Sequence, residues 1–144
     1  MSDPNVEIWK RVIRAFNERG IEGALQYFAE DIEVYDPDLP AGTRIRGHDA
    51  VRTTIGEMLS GFDSMQVRDF EFHPAGDRVV GLIHTVGQGE GRLGDVEMEV
   101  RSAHTMTFRD GKVVYWRLYL DRKEALADAG LDPALAKTAG RGGP

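Results

Sequence analysis

The sequence predicts an α+β fold with helices packed on one face of an antiparallel sheet. Two observations predict it. Apolar residues recur at helical spacing over the first 60 positions, and they alternate over much of 66 to 120. Helices first and strands later is the order of an α+β chain rather than of alternating βαβ units.

Asp3 and Pro4 start the first helix, Asp as N-cap and Pro at the first helical position. Val6, Trp9, Val12, Ile13 and Phe16 form its apolar stripe, and Gly20 is its stop. A short second helix follows, with Leu25 and Phe28 as apolar contacts. The first strand lies in "DIEVYDPDLP", residues 31 to 40, and "PAGTRIRG" is a loop. Residues 48 to 60 form a third helix with Val51, Ile55, Met58 and Leu59 on one face. "QVRDFEFH" and "RVVGLIHTVGQ" are strands joined by the turn "AGD". "GEGRLGD" is a Gly-rich turn into the long strand "VEMEVRSAHTMTF", and "KVVYWRLYLD" is its return. Asp121 and Glu124 have capping-box spacing for a last short helix, with Gly130 past its end. One domain, residues 1–130, is expected, with residues 131–144, rich in small residues, Gly and Pro, as a flexible tail.

The composition narrows the function. A net charge of −6 argues against nucleic acid or an anionic membrane as the main partner. The chain has no cysteine, so thiol catalysis, disulfides and thiolate metal sites are excluded. No apolar run reaches membrane-spanning length and no signal pattern opens the chain, which makes a cytoplasmic location the default. Phosphate loops, HExxH and a serine nucleophile elbow are not found.

Two polar residues interrupt apolar faces. In "DIEVYDP" the alternation that puts Ile32 and Val34 on one side brings Asp36 to that side as well. The final hairpin tip, "FRDGK", admits two registers. A two-residue loop, Asp110-Gly111, sets His104 opposite Arg117. A three-residue loop with Gly111 left-handed sets His104 opposite Trp116 and Met106 opposite Val114. The second is preferred, because it gathers Met98, Val100, Met106, Val114, Trp116, Leu118 and Leu120 on one face, and burial sets register. His104 then lies on the apolar face. His84 joins it if Leu82 and Val86 face inward, although Val79 and Ile83 support the opposite facing.

A carboxylate partly freed from water yet ionised suits the removal of a proton next to a carbonyl, and a His across the same cavity can donate a hydrogen bond to the developing oxyanion. The competing readings are that Asp36, before Pro37, caps loop amides and that His104 is a satisfied core residue. His48 and His73 read as surface residues. Arg101, Arg117, Tyr35 and Tyr119 face outward, the arginines into exposed salt bridges and the tyrosines toward a dimer contact.

The segments "RAFNERGIEGALQYFAEDIEVYDP", "GTRIRGHDAV" and "HTMTFRDGKVVYWRLYLD" together resemble the nuclear transport factor 2-like superfamily, especially its SnoaL-like polyketide cyclase and steroid delta-isomerase branches. The resemblance implies a cone-shaped curved antiparallel sheet wrapped around the N-terminal helices, an open-ended pocket and a homodimer. "VYDP" looks like the isomerase segment whose Asp is the general base, which carries that role to Asp36. The isomerase's oxyanion-hole acid falls at His104 and its first-helix Tyr at Val12. The "WRxYxD" ending is shared with limonene epoxide hydrolases, whose carboxylate falls at Leu118.

The reading that follows is a pocket for a small, largely apolar molecule, with Asp36 and His104 as catalytic candidates and no metal or organic cofactor. Trp9, Val12, Phe16, Phe28, Ile55, Met58, Leu59, His84, Met106, Trp116 and Leu118 are the wall candidates. A cofactor-independent isomerase or cyclase is the leading function. The alternatives are a non-catalytic binding or assembly module, in which Asp36 and His104 satisfy each other, and an epoxide hydrolase.

Overall fold

A computed structural model describes residues 3–89 and 96–137. The Gly-rich turn after residue 89 and the tail beyond residue 137 lie outside them.

Helix α1 runs Pro4–Leu25. The Asp3 carboxylate accepts from the amides of Asn5 and Val6 at 2.9 and 3.2 Å, satisfying donors that a helix start leaves open. Gly20, at φ 67° and ψ −153°, leaves helical geometry and separates two helical segments across a kink, as expected of a stop followed by a short second helix, in a conformation open to a residue without Cβ. Phe28, expected on the helix beyond that kink, instead opens strand β1, Phe28–Tyr35. The segment read as a loop contains a two-residue strand, β2, Ile45–Arg46, paired antiparallel with Glu33 and Val34. Helix α2 is His48–Leu59. Strands β3 (Ser64–Ala75), β4 (Arg78–Gly89), β5 (Val96–Arg109) and β6 (Lys112–Tyr119) follow. Helix α3, Arg122–Asp128, begins at Asp121, whose carboxylate accepts from the Lys123 amide at 2.9 Å. It closes with Gly130 at φ 77° and a 2.9 Å bond from the Leu131 amide to the Leu126 carbonyl. From the segment expected as tail, Pro133–Lys137 forms a 3₁₀ turn, and Leu131, Leu135 and Ala136 pack against the buried cluster that includes Leu126 of α3.

The six strands run in the order β2-β1-β6-β5-β4-β3. The sheet is mixed, not antiparallel throughout, because β1 pairs parallel with β6. Those two strands are separated in sequence by α2 and the β3–β5 meander, a connection long enough for parallel pairing. Helices also occupy both faces, not one. Trp9, Val12 and Ile13 of α1 and Val51 and Ile55 of α2 pack with Ile83, Met106 and Phe108 in the main core. On the other face α3 places Ala125 and Leu126 over Val80, Leu82, Ala103 and Tyr119. Successive strand residues thus serve two separate clusters, as the pleat requires.

The β5–β6 hairpin departs from both registers considered for it. Its turn is the two-residue Asp110-Gly111 loop, with Arg109 paired to Lys112 and positive φ at both turn residues, 52° and 78°. That is the turn Asp-Gly favours, since its twist matches the strands. A bulge then intervenes: Phe108 pairs with Val113, but Thr107 pairs with Tyr115. The extra residue is Val114, so Val113 takes the core place expected for it. Beyond the bulge Met106 faces Trp116 and His104 faces Leu118. The expected loop is absent, yet the face is the expected one, because the bulge restores its parity.

One close approach fixes the position of α1. The Trp9 indole lies on Gly81, where an added Cβ would come within 2.6 Å of Cη2 of the ring. Trp9 is also held by Phe72, with ring centroids 5.0 Å apart. Replacing Gly81 by Ala is therefore expected to destabilise the fold by about 1–3 kcal/mol through overpacking, read as a lower urea midpoint at unchanged m-value.

Candidate functional site

Helices α1 and α2 and the curved sheet enclose a cavity of about 460 Å³. Helix α1 contributes Trp9, Val12 and Phe16, and α2 contributes Ile55, Met58 and Leu59. The sheet adds Phe28, Met106, Trp116 and Leu118, and Asp36 and His104 supply polar groups to the same wall. Every wall position expected from sequence is therefore present except His84. That residue faces the other side of the sheet with Leu82 and Val86, where its Nε2 meets Glu99 Oε1 at 3.1 Å. Ile83 and Thr85 take the inward places on β4. The wall also includes Phe62, Met65, Met98, Val100 and Ser102. Ser102 was legible: it stands two residues before His104 on one strand, and residues two apart share a face.

Asp36 follows the last residue of β1 and is only 7% exposed. One carboxylate oxygen, Oδ1, accepts from the Asp38 amide at 2.9 Å, and the Asp36 carbonyl accepts from the Leu39 amide at 3.2 Å. Loop capping and a place on the cavity wall are thus properties of the same side chain. The turn it anchors, with Pro37 and Asp38, forms part of the wall. Among the described residues Oδ2 has no hydrogen-bond partner.

His104 is held at both ring nitrogens. Trp116 Nε1 donates to Nδ1 at 3.0 Å, and Nε2 lies 2.8 Å from Ser102 Oγ. An indole N–H can only donate, so Nδ1 is an acceptor and carries no proton. The proton of the neutral ring is then on Nε2, where it is donated to Ser102. Part of the ring faces the cavity, but the surrounding protein removes enough water to lower its pKa from 6.5 to about 4. The ring is therefore neutral at pH 7. Asp36 and His104 do not hydrogen-bond to each other: both ring nitrogens of His104 bond to Trp116 and Ser102, and Asp36 bonds through Oδ1 to the Asp38 amide. This corrects the idea that they form a mutually satisfying pair.

The other expected surface residues are more engaged than their sequence context suggests. His48 is half-buried, with Nε2 2.9 Å from the Phe28 carbonyl, and His73 pairs with Glu71 at 2.7 Å. Arg117 lies over the rings of Tyr35 and Tyr119, 4.8 and 4.7 Å from their centroids, instead of in the salt bridge expected for it. Tyr119 is buried under α3, and its hydroxyl donates to Asp128 at 3.0 Å. Among the described residues no group of three or more potential metal ligands forms, and no helix is long and apolar enough to cross a membrane.

A model of the SnoaL-like domain family matches residues 9–116. No curated protein matches the chain. Among solved structures, TerC co-crystallised with polyporic acid is similar, at 25% identity and TM-score 0.68, over 83% of this chain and 92% of that one. An NTF2-like protein from Burkholderia pseudomallei aligns at 23% identity and TM-score 0.69, over 88% and 97% of the two chains. A candidate polyketide cyclase from Xanthomonas campestris aligns at 21% identity and TM-score 0.67, over 88% and 96%.

The state of His104 links stability to pH. Between pH 6.5 and pH 4 the unfolded chain takes up a proton at this ring that the folded chain excludes. Stability from this site is therefore full above pH 6.5 and declines as pH falls toward 4, by at most about 3 kcal/mol. Urea unfolding at pH 7 and pH 4 checks this, because His104→Gln should lack that increment of the pH dependence.

Proposed function

Because the chain belongs to the SnoaL-like domain family, we propose that its cavity binds a small, largely apolar carbonyl compound and that Asp36 moves a proton on it. The single observation that carries this reading is the joint placement of Asp36 and the His104 network on the wall of one apolar cavity. A cavity of about 460 Å³ is in the range that holds a drug-sized molecule. Apolar walls select the body of the ligand, and a few placed polar groups fix its orientation.

The chemistry follows from what those groups can do. The free oxygen of Asp36 can accept a proton from a carbon next to a carbonyl and return it elsewhere on the same molecule. Negative charge then develops on the carbonyl oxygen. A donor on the His104 side of the cavity stabilises that charge, and a preorganised donor of this kind is worth about 10²–10³ in rate. Isomerisation consists of such steps. In aldol-type ring closure the carbanion left by proton removal instead adds to a second carbonyl carbon of the same molecule, the C=O π pair moves to that oxygen, and the oxygen takes up the proton held by Asp36. TerC, a protein similar to this one, is co-crystallised with polyporic acid, which supports a small-molecule ligand here. Epoxide hydrolysis is the weakest reading, because the position its resemblance assigns to a carboxylate is Leu118.

Proton exchange reads the function without knowledge of the natural substrate. A panel of β,γ-unsaturated and 1,3-dicarbonyl compounds in deuterated water should lose carbon-bound protons faster with the protein than without it. Asp36→Asn should slow that exchange by about 10²-fold or more. Undiminished exchange in the variant would remove Asp36 from the mechanism. Ligands that bind with no catalysed exchange in either protein would favour the non-catalytic binding module.

A further inference from the structure

We propose that the Ser102 hydroxyl, not the His104 ring, is the hydrogen-bond donor that meets the ligand's carbonyl oxygen, and that Trp116 and His104 are positioning residues behind it. The inference rests on the reading of the cavity as a carbonyl-binding site. It specifies which atom performs the donor role there.

The geometry leaves one hydrogen uncommitted. Trp116 Nε1–H is spent on His104 Nδ1 at 3.0 Å. His104 Nε2–H is spent on Ser102 Oγ, 2.8 Å away. The imidazole therefore has no hydrogen left for a ligand. Ser102 accepts from the ring and cannot donate back to it, because Nε2 has no lone pair to receive. A hydroxyl has one proton and two acceptor sites. One acceptor site is filled by His104, and the proton has no acceptor among the described residues. Ser102 lines the cavity, so a ligand oxygen there can meet that proton.

The order of the chain gives it direction. Every bond runs the same way, from indole to imidazole to hydroxyl, and hydrogen bonds in such a series polarise one another. Each donor in the series strengthens the next, which makes the terminal O–H a better donor than an isolated serine. The indole has a second effect. A proton on Nδ1 would oppose the Trp116 N–H directly, so the indole holds the ring in the tautomer that makes Ser102 the donor. The hydroxyl belongs to a strand residue two positions from the ring it serves, so the pair is fixed by the pleat rather than by a loop.

The test uses the full chain and 2-acetylnaphthalene labelled with carbon-13 at its carbonyl. In the wild-type cavity the infrared carbonyl band should shift to lower frequency, as it does on hydrogen bonding. Ser102→Ala should lose that shift and bind the ketone about fivefold more weakly, the value of one ordinary hydrogen bond. Ser102→Thr, which keeps the hydroxyl, should retain the shift. Nitrogen-15 spectra of His104 at pH 7 should show the proton on Nε2, and Trp116→Phe should yield a mixture of tautomers with a smaller carbonyl shift. An equal band shift in wild type and Ser102→Ala would overturn the donor assignment while leaving the Asp36 exchange assay untouched. A proton on Nδ1 in the wild type would overturn it as well. An unchanged tautomer and band in Trp116→Phe would overturn the positioning role of the indole. A ketone that fails to enter the wild-type cavity would overturn the carbonyl-site reading and this inference together.

Discussion

The bulge at Val114 is the constraint on which the site depends. A two-residue Asp-Gly turn without a bulge pairs His104 with Arg117. Inserting one residue moves His104 to Leu118 and Met106 to Trp116. It also carries Trp116 to the face that His104 occupies, where its indole can reach the ring. The irregularity extends to the neighbouring strand, since the β1–β6 register shifts between Phe28 and Glu33. Asp36 stands just beyond the regular part of that pairing, in which Tyr35 is matched to Arg117. One local departure from the regular ladder thus sets the rotation of β6 relative to β5, and Asp36, Ser102, His104 and Trp116 all stand on or beside β1, β5 and β6.

Much of this was legible in the sequence, for identifiable reasons. Helical spacing locates α1 and α2 because each has one apolar face against the sheet, and their inward residues are the cavity wall. The parity of β5 was recovered correctly from a wrong loop, because the apolar residues around His104 report which face is buried whatever the turn. The bulge itself left no sequence signal, since Val113 and Val114 are identical side chains and either can fill the core place. β4 was ambiguous for a different reason. Its two faces both carry aliphatic residues, Val79 and Ile83 inward, Val80 and Leu82 toward α3. Alternation is lost when both sides of a strand are covered, and the facing of His84 was lost with it. Nothing in single-strand periodicity indicates that β1 would pair with β6, because that contact is a property of the whole topology.

The polar groups of the cavity differ in how firmly they are held. His104 is bonded on both sides by neighbours on the same sheet, so its state is settled by the protein alone. Asp36 is tied at one oxygen to a turn and is open at the other. A fixed hydrogen-bonding series and a carboxylate with one oxygen free of partners among the described residues line the same cavity. Proton transfer favours that division: the group that stabilises charge is best fixed in advance, and the group that exchanges the proton needs an unoccupied lone pair.

The second cluster, beneath α3, gives the molecule a division of labour in its interior. The main core is hollow, and side chains such as Trp9, Ile55 and Met106 serve both packing and the cavity wall. Val80, Leu82 and Ala103, on the far side of the same strands, and Leu126 of α3 above them do not line the cavity and are almost fully enclosed. A chain built this way can exchange residues of the cavity wall while the opposite side of the sheet continues to hold β4, β5 and β6 together. On the proposed reading, the wall can diverge toward new ligands faster than the scaffold behind it, because β4 and β5 are anchored on the side away from the cavity.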